Sequence, residues 1–238
     1  MKKVFLIGTL VVLVVVVVGV LGFLGYIPGI ANIFGWSTPR DLGVVVTAQD
    51  YQSATEKLGR ERLALPADSQ DAITFQGSHP VDASFTQEEM TATWRTRDWD
   101  GNPFTDEGQI RINDDDTVEI AGAMNIPRLI DMVDDYAAVD EETRDLLNKA
   151  GFIKGDVAFW VHGNLEVTNG NWNIDISEAK LGRFSLPADQ IPEGALEDAA
   201  RKVVDEIAGM DITSLSFDNG MMHYTGTYPD QTYYRPAP

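Results

Sequence analysis

The stretch Asp98-Trp99-Asp100-Gly101-Asn102, with Asp106 and Glu107 close behind, has residue types and spacing that suit a hard cation. Oxygen ligands at alternate loop positions hold Ca²⁺ in this way, which makes Asp98, Asp100, Asn102 and Asp106 the candidate metal ligands. The stretch departs from an EF-hand loop, because Pro103 stands where the turn glycine belongs and the terminal glutamate is missing. A solvated acidic loop explains the same residues. A polar hairpin tip likewise explains the second acidic run, Asn113 to Asp116. Asp98, Asp100 and Asp106 are also the residues on which a metal-assisted hydrolase would rest.

Other reactive groups are sparse. His79, His162 and His223 show no zinc-type spacing, and the chain has no cysteine to complete a set. His162 and His223 fall in strands and meet only through folding. There is no Gly-x-Ser-x-Gly elbow, phosphate loop or dinucleotide fingerprint. Glu88-Glu89 and Asp134-Asp135 read as solvated helix faces. A non-enzymatic protein is therefore expected. The aromatic set Trp94, Trp99, Phe104, Phe159, Trp160 and Trp172 either builds the core or lines an apolar cleft. The run Val157 to Val161 is apolar on both strand faces, so it is expected to be buried on both sides. Phe159, Val161, Trp172 and Val203 are the candidate cleft residues.

These residues must be positioned by the elements around them. Residues 44–46 read as a short buried strand. Thr47 with Asp50 resembles a capping box and opens a helix at 48–58, which Gly59 stops. Residues 72–76 and 81–85 alternate and read as paired strands. Thr86 and Glu89 form a capping box before a short helix. Three hairpins follow, turning at Asn113–Asp116, at Asn169-Gly170 and at Asn219-Gly220, the last two with the dipeptide that favours tight left-handed turns. Helices are expected at 127–137, at 141–150 and, longest, at 193–208. In the last, Leu196, Ala199, Ala200, Val203, Val204 and Ile207 make one apolar face. The expected fold is α+β: an N-terminal transmembrane helix, then a curved antiparallel sheet packed on one long amphipathic helix and several short ones.

From Val4 to Tyr26 the chain is uncharged and apolar. At about 1.5 Å per residue such a helix reaches roughly 34 Å, enough for about 30 Å of hydrocarbon. The apolar core is longer than that of a signal peptide and lacks a small-x-small site, so an uncleaved anchor is expected. Lys2 and Lys3 precede it and the next charge is Arg40. The positive-inside rule then keeps the N-terminus cytoplasmic and puts the remainder outside the cytoplasm. The expected organisation is a cytoplasmic tip and anchor at 1–27, a tether at 28–43 that rests at the interface or docks on the domain, an exported domain at 44–228, and an extended tail at 229–238. The chain carries 37 acidic and 18 basic residues. Without Lys2 and Lys3, 16 basic residues remain outside, a net charge near −21. That argues against nucleic acid and against adhesion to anionic lipid heads. With no cysteine, the fold must rest on core packing.

The anchor, the Thr86–Glu89 helix start, the Asn-Gly hairpins and the helix at 193–208 resemble a group of bacterial envelope proteins with one N-terminal anchor and a tubular lipid-binding-like domain. The likeness is one of pattern across residues 44–228. It implies an apolar groove for an acyl chain and carries over no site residues. Function is therefore expected to be capture of a hydrophobic or amphipathic ligand, lipid among them, in the cell envelope, with the bilayer as partner through residues 4–26. A scaffolding module docking through Tyr228, Tyr233 and Tyr234 is the alternative, and the metal-assisted hydrolase the third.

Overall fold

The computed structural model describes residues 37–66, 68–96, 99–136, 155–186 and 194–236. The described chain runs α1 (Ala48–Leu58), β1 (Glu61–Ala64), β2 (Ile73–Gln76), β3 (His79–Thr86), α2 (Gln87–Arg95), β4 (Gln109–Ile112) and β5 (Val118–Asn125). It continues through α3 (Ile126–Tyr136), β6 (Asp156–Thr168), β7 (Asn171–Leu181), β8 (Phe184–Leu186), α4 (Ala195–Asp205), β9 (Asp211–Asp218), β10 (Met221–Tyr228) and β11 (Gln231–Tyr234).

The local signals act as their chemistry predicts. Thr47 and Thr86 cap α1 and α2 with full capping boxes, and Gly59 at φ 61° ends α1. The Asn-Gly turns place Asn169, Gly170, Asn219 and Gly220 at φ 51°, 75°, 49° and 75°, the left-handed pair that two-residue hairpins require.

The large sheet has the order β3-β10-β9-β6-β5-β4, with β7 on the other edge of β6 and β8 beyond it. β6 is long because one edge serves two partners. Residues Asp156 to Gly163 pair with β5, and Val167 and Thr168 pair with β9. Two branches, β5-β4 and β9-β10-β3, therefore leave the same edge, and α2 bridges them. Its Thr91 hydroxyl accepts from Ile110 N at 2.9 Å, and its Gln87 amide oxygen accepts from Ile112 N at 3.2 Å, so the free edge of β4 is satisfied by side chains. The main core lies where the branches face the helices, around Ala54, Phe85, Met90, Ile112, Val167 and Leu215.

Several expectations are corrected. The fold is not α+β with one long helix: among the described residues eleven strands dominate, and none of the four helices exceeds 11 residues. The helix expected at 193–208 is Ala195–Asp205. It is capped at Glu206, and beyond it Gly209, at φ 84°, passes so close to Gly77 O that a Cβ there would lie 2.1 Å from it. The expected transmembrane helix falls in residues 1–36, outside the described residues, as does the helix expected at 141–150. Among the described residues no helix is long and apolar enough to cross a membrane. Residues 44–46 form no ladder; the segment packs on the sheet, with Leu42 N and Val44 N both donating to Gln109 Oε1.

The strands expected to pair with each other, 72–76 and 81–85, do not. β3 pairs with β10, and β2 pairs with β11. The expected tail is in fact β11, central in a small sheet with β1 parallel on one side and β2 antiparallel on the other. The tyrosines expected to dock a partner are engaged within the fold: Tyr228, which ends β10, accepts from Arg60, and the Arg62 guanidinium lies 4.4 Å from the Tyr234 ring centre in β11.

Candidate functional site

Strand alternation sorts β5, β6 and β7 into two faces of different chemistry. The inner face, toward the helices, is apolar. Opposite residues form the pairs Val167–Trp172, Leu165–Ile174, Val161–Ala179 and Phe159–Leu181, with Gly163 facing Ile176. Ile120 faces Val161 from β5, and Phe184 on β8 extends the row at the sheet edge. Gly163 is required where β7 bulges, since a Cβ would lie 2.1 Å from Asp175 O.

The ends of this face are packed. At one end Trp94, Phe104 and Phe159 form an aromatic group with ring centres 5.1 to 6.2 Å apart, over glycines at 108 and 122 that leave room for the rings. Ile130 of α3 packs near Val157 and Leu181, and Val204 of α4 packs on the main core. Between them Ile120, Val161, Leu165, Trp172, Ile174 and Ile176 are only half-buried, whereas Val157 and Val167 are fully buried. Covering the remaining part of each such side chain contributes about 1 kcal/mol, and each methylene of a covering chain about 0.8 kcal/mol.

Of the four cleft candidates, the structure therefore puts Phe159, Val161 and Trp172 on one face. Val203 is 54 % exposed on α4, and its neighbour Val204 makes the core contact. The metal candidates do not converge. Asp98 lies outside the described residues. Asp100 is ion-paired with Arg235 at 3.0 Å, Asn102 Oδ1 accepts from Phe104 N, and Asp106 is exposed in a turn. Among the described residues no three His, Asp or Glu side chains gather as a metal group.

The outer face is polar and centred on Glu119, which is 5 % exposed. Arg111 donates to it, Trp160 Nε1 donates at 2.8 Å, and Arg40 lies at 3.8 Å. Burial pushes this carboxyl up, but the hydrogen bonds from Arg111 and Trp160 and the charges of Arg111 and Arg40 outweigh it and hold the group below the usual carboxylate range. Arg40 and Lys180 lie 4.4 Å and 5.2 Å from the Trp160 ring centre. Leu42 and Val44 pack on Ala121 and Trp160, so this network fastens the N-terminal segment to the sheet. Strand alternation marks Glu119 as polar without showing that it is buried, because the covering segment lies about 75 residues away in sequence.

No protein-family model matches the chain, and neither does any curated protein or solved structure.

Proposed function

We propose that this chain is a membrane-tethered, extracytoplasmic protein that holds a hydrophobic or amphipathic ligand, lipid included, against the inner face of β5, β6 and β7. The observation that carries the reading is the row Ile120, Val161, Leu165, Ile174 and Ile176, apolar side chains left half-buried on adjoining strands. Apolar side chains left partly accessible on adjoining strands are the kind of lining that a small-molecule site uses. The apolar segment 4–26 supports placement beside a bilayer, where such a ligand is concentrated. The lack of a catalytic signature along this apolar row supports binding rather than turnover at this face, and the use of Asp100 by Arg235 weighs against the metal-assisted hydrolase.

The test is photo-crosslinking of the full chain in lipid nanodiscs with a diazirine-bearing fatty acid. Labelled peptides should come from residues 157–181, and Val161→Asp should reduce that labelling several-fold. Labelling confined to residues 4–26 would sink the reading.

A further inference from the structure

The outer face of β3, β10 and β9 carries three side chains in series. Asp218 ends β9 at the Asn219-Gly220 turn, and its Oδ1 accepts from Asn219 Nδ2 at 2.8 Å and faces His223 Nε2 at 3.0 Å. His223 stands directly opposite Ser84 in the β10–β3 register, and its Nδ1 lies 2.8 Å from Ser84 Oγ. The hydrogen bonds fix the direction of the series. A carboxylate only accepts, so the proton of the neutral imidazole sits on Nε2. Nδ1 then holds the lone pair, and the Ser84 hydroxyl must donate to it. This is how an imidazole removes a hydroxyl proton as the oxygen attacks.

We propose that Ser84 is a nucleophile toward acyl esters, with His223 as its general base and Asp218 as the residue that positions the imidazole. In the step, a bond forms between Ser84 Oγ and the ester carbonyl carbon, and the Ser84 proton passes to His223 Nδ1. The ester C–O bond then breaks, and the leaving alcohol takes that proton. Water attacks the acyl-serine by the reverse route, with His223 again as base.

A second serine–histidine pair shows why Ser84 is singled out. His162 Nε2 is 3.0 Å from Thr117 Oγ1, which itself donates to Asp115, so Nδ1 again holds the lone pair 3.0 Å from Ser177 Oγ. Ser177, however, also lies 3.0 Å from the carbonyl of His162, a competing acceptor for its proton. Ser177 is the more exposed of the two serines, so the competing acceptor and not access sets them apart; the site at Ser84 is open to reagent all the same, with the His223 and Asp218 side chains 39 % and 50 % exposed. The backbone of β10 is committed to ladders on both sides, so it has no N–H to spare for an oxyanion. The acceleration therefore comes from the base, about 10²–10⁴-fold, and the esters it suits have good leaving groups. Ser84 is on the opposite face of the fold from the apolar row, so this activity stands independently of ligand capture.

The experiment treats the full chain in detergent with p-nitrophenyl acetate and reads acetylation of each peptide by mass spectrometry over time. Ser84 should be acetylated at least about 10²-fold faster than Ser177. Ser84→Ala should abolish the fast site and His223→Asn should bring it to the rate of Ser177. Asp218→Asn should slow it, and Asp218→Glu should recover part of the rate, which a merely structural aspartate would not do. Acetylation of Ser84 no faster than that of Ser177 overturns the proposal. So does a His223→Asn variant, folded by circular dichroism, with an unchanged Ser84 rate. The comparison of the two serines needs no substitution, so it decides even where a variant fails to fold.

Discussion

Glu119 shows how one buried charge organises a surface. Its carboxylate holds Arg111, Trp160 and Arg40 together, and those contacts keep the N-terminal segment on the sheet. Glu119→Gln keeps the shape but removes the charge, and it should lower stability at neutral pH by about 2 kcal/mol, the scale of a charge-assisted hydrogen bond. The sign of the pH dependence follows from the depressed carboxyl. Its contribution is complete above the unfolded value of about 4.3 and is lost as pH falls through the lower folded value. Glu89 has the same sign: burial pushes it up, while hydrogen bonds from Lys57, Ser53 and the Thr86 backbone bring it below the usual range. Urea midpoints measured from neutral pH downward should fall for the native chain and fall less steeply for Glu119→Gln. Parallel curves would mean that Glu119 titrates alike in both states.

At the scale of elements, glycines and the C-terminal strand carry the sharpest expectations. Gly163 and Gly220 are both turn or bulge residues, but a Cβ at Gly163 would meet Asp175 O at 2.1 Å while one at Gly220 meets nothing within 4 Å. Gly220→Ala should therefore cost only about 1 kcal/mol, for its left-handed backbone. Gly163→Ala should cost more, and calorimetric melting of the two variants gives the order directly. β11 joins β1 to β2, and Asp230 beside it accepts from Ser78 N and pairs with His79. A chain ending at Tyr228 should lose hydrogen-exchange protection at 61–64 and 73–76 while β5 to β7 keep theirs. Retained protection at 61–64 would show that β1 holds without its partner. These elements also mark how far the sequence could be read. Caps and Asn-Gly turns act through neighbours within a few residues, so α1, α2 and the hairpins were legible. The pairing of β2 with β11 spans more than 150 residues, and nothing local in either segment encodes it. The splitting of one edge of β6 between β5 and β9 was hidden for the same reason. Phe159, Val161 and Trp172 fell on one face because strand period is local, whereas Val203 was misplaced with Val204, its neighbour about 100° around the helix.

At the scale of the whole molecule, net charge sets the conditions under which the domain is stable. The chain carries 37 acidic against 18 basic residues, a net charge of −19, and no cysteine cross-link to resist the resulting self-repulsion. Several basic residues are committed to specific partners: Arg111 to Glu119, Lys57 to Glu89, and Arg235 to Asp100. Much of the acidic surface is thus left to repel itself. Raising KCl from about 0.01 M to about 0.15 M shortens the screening length from about 30 Å to about 8 Å. That change weakens repulsion across the surface but scarcely touches the pairs at Glu119 and Glu89, which are nearly buried. The urea midpoint should therefore rise with KCl, with most of the rise complete near physiological ionic strength. A gain that continued in proportion to salt at much higher concentrations would point instead to strengthened burial of apolar surface. A midpoint that fell with KCl would mean that exposed ion pairs outweigh the repulsion, and that the acidic surface is a matched network rather than a source of strain.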